Sequence, residues 1–261
     1  MTMLLSDRVV LVSGIGPGLG AEIALACARE GADLVLAARS PAMLDETAAA
    51  VRSRGRRALP VPTDVTTPGA CRRLVDAARA EFGRIDVLVH NAFLSNPVGL
   101  VEQADLDDWR RIFEVNLFGA LRLTQLVVPL MKAQRRGSIV FVNSMSIRVI
   151  EPMMGGYAAS KGALLTTART LAKELGPEGI RVNSVVPGYI WSDKMEAYFR
   201  RLATERGVPY EAVHADVTSR TALRHIPDSA EVAEAVVFFA SELARAVTGQ
   251  SLDVNGGHFF D

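Results

Sequence analysis

Lysine is nearly missing from this chain: four lysines stand against 25 arginines among 261 residues. Net charge is missing too, because 29 basic residues balance 29 acidic ones. Such a surface has no field to gather nucleic acid or an anionic membrane, so a small uncharged partner fits better. The two cysteines, Cys27 and Cys71, lack CxxC or metal-ligand spacing, which leaves reduced structural thiols and a cytoplasmic setting as the expectation. His90, His214, His225 and His258 also lack ligand spacing, so no metal is expected. No apolar run approaches the roughly 18 residues of a membrane span, and Met1 to Arg8 show no charged leader before an apolar stretch. Export and membrane insertion are disfavoured on these grounds. Aromatic residues are scarce at 6%, yet 49% of the chain is hydrophobic, enough for a continuous aliphatic core.

What is present is an alternation. Short apolar runs at Val9 to Val12, Leu34 to Leu36, Ile85 to Val89, Ile139 to Val142 and Val182 to Val186 read as strands buried on both faces. Between them, segments such as Ala21 to Glu30 and Ala70 to Phe82 space their apolar residues by three and four, as crossover helices do. The pattern returns at Ala230 to Phe239 and Leu252 to Val254 without a flexible linker. The reading is an α/β fold: one doubly wound parallel sheet over residues 1–261, of about seven strands with helices on both faces. Tyr189 to Arg224 shows no clear periodicity and is expected to be the substrate loop.

Directly after the first strand comes Ser13-Gly14-Ile15-Gly16-Pro17-Gly18-Leu19-Gly20. A turn that lays backbone against a pyrophosphate needs residues without a β-carbon, and the following helix offers unpaired N–H groups; Gly14, Gly18 and Gly20 suit that role. The other reading is a merely tight strand-to-helix turn. Some twenty residues on, Ala37-Ala38-Arg39 stands where NAD sites place a carboxylate on the ribose, whereas an arginine there suits the 2′-phosphate of NADP. NADP(H) is the expected cofactor, with NAD(H) open. Arg39 as a solvated strand-end residue is the alternative.

Tyr157 and Lys161 sit one helical turn apart, so an ammonium can stand near a phenol whose free pKa, about 10, is too high for a base at neutral pH. A surface helix pair is the bland alternative. Ser144 follows a buried strand at its carboxyl end, where such sheets present side chains to ligands, although serines there also cap helices. Asn116 stands inside a helical stretch where asparagine is mildly unfavourable.

Taken together, Ser13-Gly14-x-x-x-Gly18-x-Gly20, Asn91-Ala92, Asn116, Ser144, Tyr157-x-x-x-Lys161 and Pro187-Gly188 follow an order and spacing similar to the short-chain dehydrogenase/reductase family. The chain resembles that family over nearly its whole length. The resemblance implies hydride transfer between a nicotinamide and a carbonyl carbon, with Tyr157 as general acid and base and Ser144 orienting the oxygen. Lys161 would hold the ribose and lower the phenol pKa, and Asn116 would anchor a water. Asp64 would contact the adenine, beside Val65 and Leu19. Asn91 and Ala92 would lie by the ribose region, and Pro187, Gly188, Ile190 and Ser192 on the nicotinamide side. A homotetramer with the two longest helices at one interface is also implied.

The chain departs from the family pattern at three places. Ser13 replaces a threonine, His90-Asn91-Ala92-Phe93 replaces Asn-Asn-Ala-Gly, and Pro17 stands where NADP-preferring members often carry arginine. Phe93 is thereby a candidate substrate contact. Three of the four tyrosines and one of the two tryptophans fall between Tyr189 and Arg224, so Tyr189 and Trp191 are candidates for the wall of a pocket for an apolar ketone or alcohol. Packing of these rings within their own segment is the other reading. A catalytically silent dinucleotide-binding regulatory protein is the rival function. A nucleotide-sugar epimerase or dehydratase would use the same tyrosine and lysine but needs more C-terminal chain.

Overall fold

The computed structural model describes residues 3–260; Met1, Thr2 and Asp261, which the expected 1–261 domain includes, lie outside the described residues. The first half runs β1 (Val9–Ser13), α1 (Leu19–Arg29), β2 (Asp33–Ala38), α2 (Pro41–Arg52), β3 (Ala58–Pro62), α3 (Pro68–Phe82) and β4 (Val87–His90). The second runs α4 (Leu106–Phe113), a π-helical turn at Glu114–Gly119, α5 (Ala120–Gln134), β5 (Gly137–Val142), α6 (Gly155–Leu175) and β6 (Ile180–Pro187). It ends with α7 (Asp193–Arg206), α8 (Tyr210–Ser219), α9 (Ser229–Ala240) and β7 (Ser251–Val254).

Among the described residues the seven strands form one sheet in the order β3-β2-β1-β4-β5-β6-β7, every pairing parallel. Alternate residues explain why the strands read as unbroken apolar runs. Val10, Val12, Leu34 and Leu36 pack with Ile23 of α1 and Val236 of α9 on one face. Val9, Leu11, Leu88, Ile139 and Phe141 pack with Leu74 of α3, Val127 of α5 and Leu164 of α6 on the other. Each such side chain stabilises the fold by roughly 1.5–3 kcal/mol on burial. At the amino end of β4, the buried Asp86 accepts the Val9 N–H at 2.9 Å and the Arg84 Nε at 2.9 Å, so the carboxylate lost to water is repartnered.

Two elements differ from the sequence reading. β3 was not among the apolar runs, because Pro60 and Pro62 interrupt it; an edge strand bonded only to β2 tolerates residues that cannot donate. The stretch Tyr189 to Arg224 carries two helices. Ser192 caps α7 by accepting the Met195 N–H at 3.3 Å, and Gly207 ends it at φ +65°. Only Phe199 and Ala203 of α7 are buried, too few to leave a readable apolar stripe.

The chain leaves β3 at one edge and returns beside β1 as β4. The strand order reverses between β1 and β4, and ligand crevices of such sheets open at the carboxyl ends there.

Candidate active site

The crevice at that reversal is a cavity of about 630 Å³. Its floor is the glycine turn. Gly14 adopts φ +98°, and a β-carbon there would run into the backbone of Ala92 at the end of β4. At Gly20 a β-carbon would strike the Gly14 carbonyl, so side chains at either position would push the first turn of α1 off the sheet. Asn91 locks the two strand ends together, donating through Nδ2 to the Gly14 carbonyl at 2.7 Å while its own N–H reaches Ser13 O at 2.8 Å. Gly18 precedes α1 without a side-chain cap, so the helix presents its first N–H groups to the cavity. This cradle fits a dinucleotide phosphate: close backbone, unpaired donors, and no carboxylate in the turn.

Leu19, Arg39, Asp64 and Val65 line the same cavity at the far end, where β2 and β3 finish. The Asp64 carboxylate accepts from the Thr66 hydroxyl at 2.7 Å and the Thr66 N–H at 2.9 Å, bonds that hold it below its usual pKa. Arg39 is exposed, and its charge adds to the lowering of the Asp64 carboxyl. At the near end, Pro187 closes β6, and Gly188, Ile190 and Ser192 follow it along the cavity rim.

Ser144, Tyr157, Lys161 and Phe93 meet between these ends. Ser144 leaves β5 and caps a short helical turn, accepting the Ser146 N–H at 3.2 Å. Its hydroxyl also lies within reach of the Tyr157 phenol. Burial raises the phenol pKa above its ordinary value, and the Ser144 hydroxyl opposes that rise. Lys161 is buried and donates through Nζ to the Val142 carbonyl at 2.8 Å. Burial pushes its ammonium down to about 7. The Nζ lies 5.8 Å from the Tyr157 ring centroid and 5.9 Å from that of Phe93.

Asn116 stands off the cavity, 1% exposed, in the π-helical turn. Its Oδ1 accepts the Leu94 N–H at 2.7 Å, and its Nδ2 donates to Leu94 O at 3.0 Å and Ser160 Oγ at 2.9 Å. Both amide hydrogens are thus engaged. The residue ties the loop after β4 to α6, one turn from Tyr157. The extra residue of a π-turn re-aims this side chain, which explains an asparagine inside a helical stretch.

His90 fills the first position of the altered His-Asn-Ala-Phe segment. Its ring stacks on Phe141 at 4.8 Å and its Nε2 lies 2.9 Å from Thr124 Oγ1. Thr124 donates to Ala120 O, so its hydroxyl accepts here and His90 carries its proton on Nε2. Burial, with the Lys161 cation adding, pushes the imidazole down to about 3, so it is neutral at physiological pH.

Tyr189 and Trp191 are not brought to this cavity. Tyr189 stacks on His258 at 5.5 Å. Trp191 packs edge to face on Phe199 at 5.9 Å and His214 at 5.2 Å, in a small core with Val213 and Ile226. Packing within the segment is what the structure shows for this ring. Conversely, Thr63, Leu94 and Asn143 line the cavity and were not picked out from sequence. Thr63 follows the unrecognised β3, and its position at a strand's carboxyl end would have marked it.

A larger groove of about 900 Å³ runs along α5 and α6, lined by Leu121, Val128, Pro129 and Leu171. It has no glycine turn and no convergent catalytic groups, so the chemistry belongs to the smaller crevice.

A family model described as Enoyl-(Acyl carrier protein) reductase matches residues 14–258. The cis-4-hydroxycyclohexanecarboxylate dehydrogenase of Sinomonas cyclohexanicum is 35% identical over 253 residues, covering 97% of each chain. The 3-oxoacyl-(acyl-carrier-protein) reductase FabG of Thermotoga maritima is 34% identical, over 98% of this chain and 99% of its own. The crystal structure of carveol dehydrogenase from Mycobacterium avium, in complex with NAD, matches with a TM-score of 0.90 at 29% identity over 98% of both chains.

Proposed function

The chain belongs to the short-chain dehydrogenase/reductase family and is an NAD(P)-dependent oxidoreductase of CH–OH and C=O groups; from this we propose that it interconverts a ketone and a secondary alcohol, with Tyr157 as general acid and base. The observation that carries the reading is that Ser144, Tyr157 and Lys161 line one crevice that begins with the glycine turn. Two hydroxyls converging on one point suit an oxygen that gains or loses a proton.

A bound nicotinamide dinucleotide supplies or accepts the hydride. The glycine turn and the start of α1 would hold its pyrophosphate. Arg39 would hold a 2′-phosphate, which makes NADP(H) the preferred form in this reading. In reduction, the Tyr157 hydroxyl gives its proton to the carbonyl oxygen while Ser144 donates a second hydrogen bond to the same atom. In oxidation, Tyr157 takes the alcohol proton back. Lys161 fixes α6 to β5 and so sets the distance between these two hydroxyls. Asn116 acts through Leu94 and Ser160, as a positioning residue.

A spectrophotometric assay of NADH and NADPH against a panel of ketones, alcohols and a 2-enoyl thioester tests the proposal. Ketone-dependent oxidation of one cofactor is expected. Tyr157→Phe should lower turnover by about 10²-fold or more, while cofactor affinity by fluorescence titration stays the same. Near-normal turnover in that variant, or turnover of the enoyl thioester alone, would overturn the assignment.

A further inference from the structure

Phe93 and Tyr157 are the two aromatic rings that line the crevice. The Phe93 ring centroid lies 6.3 Å from that of Tyr157 at 62° between planes, and Phe93 remains 58% exposed. A large ring left open to water beside a catalytic phenol is unusual, because burying it would have stabilised the fold. Its neighbourhood repeats the pattern. Of the sixteen large apolar side chains exposed among the described residues, six fall in two short stretches: Phe93, Val98, Leu100 and Val101, and then Ile150 and Met153. The Gly99 N–H donates to the Met153 carbonyl at 2.9 Å, so the two loops run side by side. Val101 abuts Gly155 at the start of α6, two residues before Tyr157. The wall is therefore continuous with the helix that carries the phenol.

The two loops of the wall carry little charge. Residues 93–101 contain no ionisable side chain, and Arg148 is engaged by Ser251 at 2.7 Å and Asp253 at 3.3 Å. Glu151 is the one charge between Ile150 and Met153, and it disfavours an anion there. We infer that Phe93, with the two loops behind it, is the specificity-determining wall that holds the uncharged, apolar body of the substrate while its oxygen sits between Tyr157 and Ser144. The substrate class is a cyclic or branched secondary alcohol or ketone without a charged tail. This rests on the oxidoreductase reading above and shifts the apolar element of the site away from the aromatic segment after β6. Burial of the Phe93 face by such a body removes apolar surface on both partners from water, which a two-carbon chain cannot do.

The test compares wild type with Phe93→Ala and Phe93→Leu on 4-tert-butylcyclohexanone and butan-2-one. Phe93→Ala should lower kcat/KM for the cyclic ketone by about tenfold or more, change that for butan-2-one by about threefold at most, and recover in Phe93→Leu. A second readout needs no turnover: saturation-transfer NMR of 4-tert-butylcyclohexanol on the full chain should show ring-proton signals in wild type that fade in Phe93→Ala. An unchanged ratio of kcat/KM, or equal NMR signals in the two proteins, overturns the inference, whether the wall is idle or covered by a second copy of the chain. A change confined to dinucleotide affinity also overturns it and makes Phe93 a cofactor contact. Should no ketone turn over in wild type, the ketone–alcohol proposal fails, and the NMR comparison still decides on the wall.

Discussion

Lys161 Nζ donates to the Val142 carbonyl at 2.8 Å, joining the second turn of α6 to the end of β5 two residues before Ser144. The bond fixes Tyr157, one turn earlier on the same helix, against Ser144. It also places a cation where water cannot reach it. Burial therefore lowers the lysine pKa to about 7, from about 10.5 when exposed.

This lowering makes stability depend on pH in a definite direction. Between about pH 7 and pH 10.5 the unfolded chain keeps the lysine proton and the folded chain has lost it, so the unfolded state binds more protons and stability rises with pH. The slope from this group is at most about 1.4 kcal/mol per pH unit. Cys27 opposes it from about pH 8.5, because burial pushes its thiol up to about 12 and the unfolded chain ionises first. Denaturant unfolding at pH 7.0 and pH 8.2, below the thiol's range, should show wild type gaining stability that Lys161→Met does not gain. Parallel profiles in the two proteins would mean that Lys161 keeps its proton in the folded state.

Arg39 leads to a prediction about cofactor choice. It follows directly on Ala38 at the carboxyl end of β2, lines the cavity, and stands where a carboxylate would otherwise repel a 2′-phosphate. Wild type should bind NADPH more tightly than NADH in fluorescence titration. Arg39→Ala should weaken NADPH by about ten- to a hundredfold, the loss of one charge-assisted contact, and leave NADH within about twofold. Tighter NADH binding by wild type would give the deciding role to Pro17.

How much of this could be read from sequence depends on where each signal lies. β1, β4 and β5 bury both faces, so they stand out as unbroken Val, Leu and Ile runs. Ser144, Tyr157 and Lys161 were legible because one helical turn and one strand end set their spacing. β3 was hidden by Pro60 and Pro62, and with it Thr63. Asn116 was singled out, but its partners Leu94 and Ser160 come from a loop and a helix that only the π-turn brings together. No period in the sequence marks such a turn. Composition identified the aromatic excess after β6 and left its purpose open, since ring content alone does not say whether rings face a ligand or each other.

Trp191 tests that last distinction. Its N–H donates to the Pro227 carbonyl at 2.8 Å, and its ring meets Phe199 and His214 edge to face. Phe199, Val213 and Ile226 are buried around it, so α7 and α8 rest on a core of their own, apart from the two layers that cover the sheet. A small separate core opens more readily than the whole fold. Removing its largest ring should therefore be felt locally first. Because the indole is only half-buried, Trp191→Ala should cost about 2 kcal/mol, less than the 3–5 kcal/mol typical of a fully buried tryptophan. Hydrogen exchange should quicken across α7 and α8 while the strands of the sheet keep their protection. Kinetically, a loosened segment lowers kcat/KM for small and bulky ketones alike, since it affects how the rim residues Ile190 and Ser192 are held and leaves the Phe93 wall in place. A loss confined to bulky apolar ketones, with exchange in α7 and α8 unchanged, would instead put the indole against the substrate.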